Sequence, residues 1–90
     1  MTRHANPKPD KAGKEHLRQV ALEAYPNLTL RWCSHGDLGG QRAPRDHTLA
    51  FRLADARGKF RSNVVWVMPE CLKAWTADDV RRAVNESNGR

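Results

Sequence analysis

Between Thr48 and Met68 apolar and polar positions alternate with a period of two, the spacing of strands with one buried face. Leu49, Phe51 and Leu53 alternate with Thr48, Ala50 and Arg52, and the chain returns through Phe60 to Met68 after Ala56-Arg57-Gly58-Lys59. With Arg57-Gly58 as the two loop residues and Gly58 at positive φ, the pattern predicts a tight hairpin. In that register Leu53 faces Ser62, Phe51 faces Val64 and Leu49 faces Trp66, while Arg52 lies opposite Asn63 and Ala54 opposite Arg61. A slip of one residue would place Phe51 among the arginines, so burial favours this register. A hairpin by itself is marginal in water, and other elements must cover its apolar face.

The remaining periodicities supply the cover. Leu17, Val20, Ala21 and Ala24 fall at helical spacing and predict a helix over Lys11 to Ala24, with Lys14, Arg18 and Glu23 turned to water. Gly13 weakens its first turn, and Pro26 ends it by pushing the preceding residue out of the α region. Leu28, Leu30 and Trp32 alternate with Thr29, Arg31 and Cys33 as a further strand. Ser34 to Asp46, with Gly36, Gly39, Gly40 and Pro44, reads as a long loop, and such loops are functional or disordered. After the hairpin, Pro69 opens a short helical turn presenting Leu72 and Trp75. Thr76-Ala77-Asp78-Asp79 then starts a helix with a capping hydroxyl and acids at the positive end of the dipole. Val80, Ala83 and Val84 form its apolar stripe, and Asn88-Gly89 its stop.

The fold expected is therefore α+β: a three-stranded antiparallel meander with two helices packed on one face, in the order α-β-β-β-α. Leu28, Leu30, Trp32, Leu49, Phe51, Leu53, Val64 and Trp66 would meet the helices. Arg31, Arg52, Arg61 and Asn63 would share the opposite, open face. Residues 1–10 read as a mobile basic arm and residues 11–90 as one domain, large enough for one modest core.

Charge sharpens this picture. The formal net charge is +6, from 16 Lys and Arg against 10 Asp and Glu. Residues 1–20 carry five basic and two acidic groups, residues 31–61 seven against three, and residues 62–90 four against four. The excess thus gathers on the N-terminal arm and the sheet, as expected of a surface that meets phosphates. Arg31, Arg42, Arg45, Arg52, Arg57, Lys59, Arg61 and Asn63 are the expected nucleic-acid contacts, for RNA or DNA. Two cysteines make no disulfide framework, no apolar run suits a membrane span, and the N-terminus lacks a signal peptide's apolar core. A cytoplasmic protein without a membrane partner is the expectation.

Catalysis and metal binding have fewer residues behind them. Cys33, His35, His47 and Cys71 would lie at one end of the meander, but their spacing matches no common zinc motif, and no metal or other cofactor is expected. Asp46-His47 and His35-Gly36-Asp37 each pair an imidazole with a carboxylate that could orient an acid or base. Trp32 and Trp66 fall at core parity, so base stacking on the basic face is not expected, and recognition of backbone charge fits better.

The element order resembles that of double-stranded-RNA-binding domains, without their Lys-Lys-rich start to the last helix. His47-Thr48-Leu49-Ala50-Phe51, Arg57-Gly58-Lys59, Val67-Met68-Pro69 and Val80-Arg81-Arg82-Ala83-Val84 resemble the HicA-type toxins, small basic ribonucleases of the same fold. The resemblance implies that His47 stands at the catalytic histidine. Arg45-Asp46 replaces that family's Gly-Ser, the loop after the first strand is longer, and the N-terminal arm is extra. Three functions follow: a phosphate-gripping nucleic-acid module, a ribonuclease acting through His47, and a phage- or plasmid-type regulator with a protein partner at the long loop. The residues favour a binding module over an enzyme.

Overall fold

The structure, a computed structural model, describes residues 11–44 and 48–89. Its elements run α1 (Lys11–Ala24), β1 (Thr29–Trp32), β2 (Leu49–Ala54), β3 (Val65–Val67) and α2 (Ala77–Asn88), with 3₁₀ turns at His35–Leu38 and Pro69–Cys71. The strands form one antiparallel sheet in the order β1-β2-β3. This is the expected α+β arrangement.

Both helices lie on one face of the sheet. Leu17, Val20 and Ala21 of α1 and Val80 and Val84 of α2 close over Leu30, Phe51, Leu53, Val65 and Val67, with Leu72 filling the corner. Phe51 sits at the centre, with Trp32 and Trp75 edge-on to its ring at 5.9 and 6.4 Å between centroids. Helix α1 keeps its full span despite Gly13, which is itself buried. It ends in a turn closed by the Leu28 amide donating to the Tyr25 carbonyl at 3.0 Å, with Pro26 at the corner where its fixed φ fits. Lys14 is half-buried, its ammonium 5.0 Å above the Trp32 ring, rather than turned to water. Helix α2 starts in a capping box: the Thr76 hydroxyl accepts from the Asp79 amide, and the Asp79 carboxylate accepts from the Thr76 amide at 2.8 Å.

The hairpin departs from expectation in a way that reorganises the outer face. Its loop has three residues. The Asp55 amide donates to the Lys59 carbonyl at 2.9 Å, the Gly58 amide to the Asp55 carbonyl at 2.9 Å, and Gly58 takes φ 84°. Asp55 selects this turn because one carboxylate oxygen accepts from both the Arg57 and Lys59 amides, at 2.9 and 3.0 Å. Ala54 consequently pairs with Phe60 rather than Arg61.

Beyond the turn the returning chain bulges at Ser62 and Asn63. The regular ladder resumes with Phe51 opposite Val65 and Leu49 opposite Val67. The Leu53 amide, left without a backbone partner by the bulge, donates to the Ser62 hydroxyl at 2.9 Å, and that hydroxyl donates to the Asn63 carbonyl. The net effect reverses parity in β3. Val65 and Val67 enter the core, while Trp66 stands opposite Ala50 on the outer face and is only half-buried. Val64 is buried, as expected, but outside the main cluster.

Candidate nucleic-acid interface

The outer face is built from the strand positions that alternate with the core. Arg31 of β1 and Arg52 of β2 are direct cross-strand partners there. Phe60, beside Ala54 across the hairpin, supplies the surface on which both rest: the guanidinium carbons lie 5.3 Å (Arg31) and 4.2 Å (Arg52) from its ring centroid. The quadrupole of an aromatic ring attracts cations over its face, so Phe60 offsets part of the repulsion between two like charges in register.

Arg52 is also fixed by its own hydrogen bonds. Its Nε donates to the Ser62 carbonyl at 2.9 Å, which makes the bulge a positioning device, and one terminal nitrogen donates to the Asp37 carbonyl at 3.4 Å. Among the described residues these bonds engage two of its five N–H groups. Among the described residues no carboxylate makes an ion pair with Arg31 or Arg52.

Among the described residues Asp37 lies within electrostatic reach of both Arg31 and Arg52. The Ser34 backbone N–H and hydroxyl, each 3.0 Å away, hold its carboxyl below the usual carboxylate range, and Arg31 and Arg52 add to that effect. Cys33, half-buried on the same side, has its thiol pushed up by burial and then by Asp37, against the smaller opposing pull of the two arginines. Such a thiol is a poor nucleophile near neutrality.

Next to this pair is an open cleft of about 360 Å³, lined by Arg52, Phe60, Arg61, Ser62, Asn63 and Asn88. Arg61 reaches it from the hairpin while its Nε donates to Asp55 at 2.9 Å. Asn63 is tied to the end of α2 rather than facing Arg52: its amide donates to Asn88 Oδ1 at 3.1 Å, and its Nδ2 donates to the Ser87 carbonyl at 3.0 Å.

The structure thus brings Arg52, Arg61 and Asn63 to one cleft, with Arg31 alongside. Arg57 and Lys59 are exposed on the hairpin turn, and Arg42 is exposed in the loop that follows the 3₁₀ turn. Arg45 and His47 lie outside the described residues, as does the arm over residues 1–10. Cys71 packs against the core, and the described residues contain no cluster of potential metal ligands.

Sequence reasoning missed Phe60 and Trp66. Strict alternation through an unbroken hairpin left no aromatic on the outer face. The three-residue turn puts both there, since Ala54 pairs with Phe60 and, after a bulge that absorbs an even number of residues, Ala50 still pairs with Trp66. The signal was present in Asp55, three residues before Gly58 and able to accept from the turn amides, which favours a three-residue loop over a two-residue one. Comparison with protein-family models, with curated proteins and with solved structures gave no match. Among the described residues no helix is long and apolar enough to cross a membrane.

Proposed function

We propose that this chain is a nucleic-acid-binding module that grips phosphates with the outer face of its sheet. The observation carrying this reading is the Arg31–Arg52 register pair, two guanidinium groups held side by side on Phe60 with no ion-paired carboxylate among the described residues. A fold gains little from placing like charges directly opposite one another. A polyanion gains much, because each guanidinium offers planar, paired donors that match phosphate oxygens. Arg61 extends the positive strip toward α2, and Arg57 and Lys59 extend it over the hairpin turn. The overall charge of +6 adds long-range attraction. The two free cysteines are in keeping with action in a reducing cytoplasm.

Electrophoretic shift of labelled RNA and DNA by the whole chain, at low and moderate salt, tests the reading. Retarded and intact probes at low salt, released as salt rises, are the expected result. Cleaved probes would move the function to a ribonuclease. Absence of a shift at low salt would leave a protein partner as the remaining reading.

A further inference from the structure

The arginines occupy one half of the outer face, and the other half has a different chemistry. Two residues before Arg52 on β2, Ala50 offers only a methyl group, and its cross-strand partner Trp66 stands beside it with a half-buried indole. Among the described residues neither a cation nor an aromatic ring lies over that indole, whereas Phe60 carries two guanidinium groups. The loop after β1 folds onto the same face. The Asp37 carbonyl accepts from Arg52, and Leu38 and Ala43 line one groove of about 260 Å³ with Ala50 and Trp66. Lys14, held over Trp32, lines that groove as well and adds a cation. A slot of aromatic and aliphatic carbon with cations at hand is the complement of a nucleotide base whose phosphates lie outside it. Ala50 and Arg52 share a face of β2 and stand roughly 7 Å apart along the strand. A base seated over Ala50 therefore keeps its phosphate within reach of the arginine pair.

Resting on the reading of this chain as a nucleic-acid binder, we infer that the groove takes an unpaired base against Trp66 and that the module selects single-stranded nucleic acid over duplex. Stacking on an indole needs one exposed base face, which every unpaired base has, so the contact tolerates sequence. In a duplex both faces of each base are stacked, and a base would have to be splayed out before entering the groove. The stacking contact is also separate from the phosphate grip. Among the described residues the Trp66 side chain makes no hydrogen bond or ring contact with Arg31, Arg52 or Phe60.

The test measures the affinity of the whole chain, at one moderate salt concentration, for oligothymidylate and oligouridylate, for the same strands annealed to their complements, and for inorganic polyphosphate. Single strands should bind at least about tenfold more tightly than their duplexes. They should also quench tryptophan fluorescence, which polyphosphate should not. Trp66→Leu should remove most of the preference while duplex and polyphosphate affinities stay within about twofold. Trp66→Phe, which keeps a ring to stack on, should retain the preference and lose most of the quenching, since Trp32 and Trp75 pack edge-on to Phe51. If Trp66→Leu fails to fold, that loss of quenching in Trp66→Phe decides. Equal or tighter duplex binding, a preference unchanged by Trp66→Leu, a Trp66→Leu loss shared by all ligands, or quenching unchanged in Trp66→Phe overturns the inference while the phosphate-gripping reading stands. No binding of any polyanion overturns both.

Discussion

Arg31 and Arg52 occupy directly opposed positions on neighbouring strands, with Phe60 beneath both guanidinium groups. A like-charge pair in register costs roughly 0.2–1 kcal/mol, and an exposed cation–π contact returns about 0.5–1 kcal/mol. The two nearly cancel, so the pair is neutral for stability and its charge is available for a partner. Arg31→Ala should accordingly shift the thermal midpoint by no more than about 4 °C in either direction. The same variant should bind polyanions several-fold more weakly, with the slope of log affinity against log salt reduced by about 1. Thermal unfolding and a salt titration of the same protein check both halves.

Ser62 carries the bulge. Its buried hydroxyl accepts the Leu53 amide, and its carbonyl positions Arg52. Ser62→Ala leaves a buried N–H without an acceptor, at an expected cost of about 1–3 kcal/mol. Urea unfolding should show a lower midpoint at an unchanged m-value. A loss below a few tenths of a kcal/mol would mean the hydroxyl is not the partner of that amide.

Parity in β3 predicts two unequal aromatic substitutions. Phe51 is fully buried between the helices and the sheet, and Phe51→Ala should cost about 3–5 kcal/mol. Trp66 is half-buried on the outer face, and Trp66→Ala should cost clearly less than Phe51→Ala despite the larger side chain removed. Equal losses would restore Trp66 to the core and contradict the register set by the three-residue turn.

Stability should fall in acid for an identifiable reason. Asp55 is held below its ordinary pKa chiefly by the Lys59 amide, and Asp79 chiefly by the Thr76 amide. Asp37 is held down by Ser34. A carboxylate whose folded pKa is depressed contributes stability above its unfolded pKa and loses it as pH falls through the folded value. The loss therefore belongs to the acid side, below the ordinary carboxylate range, and stability should be flat with respect to these groups near neutrality. Asp55→Asn keeps a carbonyl acceptor for the turn amides without the charge, and should shallow the acid limb of a stability–pH curve.

The helices were legible in the sequence because their signals are local. The apolar stripe of Leu17, Val20, Ala21 and Ala24 and the Thr76 capping box each lie within a few turns of chain, and the α1 and α2 boundaries follow from them. The sheet order was legible as well, since strands that follow one another in the chain usually pair as neighbours. The face presented by β3 was not. It depends on how many residues the turn and the bulge absorb, and that number is set by side chains acting on distant backbone: Asp55 on the Arg57 and Lys59 amides, and Ser62 on the Leu53 amide. Arg31 and Arg52 could be placed on the open face by alternation alone. Phe60, which converts them from two exposed cations into a supported pair, became visible only once the turn was known.

The central claim is that the outer face, not the helical face, receives nucleic acid. Titration of an oligonucleotide into isotope-labelled protein, followed by amide chemical shifts, tests it most directly. The account predicts the largest shifts at Arg31, Arg52, Phe60, Arg61 and Asn63, with the amides of Leu17 and Val84 nearly unmoved. Shifts concentrated on α1 and α2, or a spectrum unchanged at low salt, would contradict it.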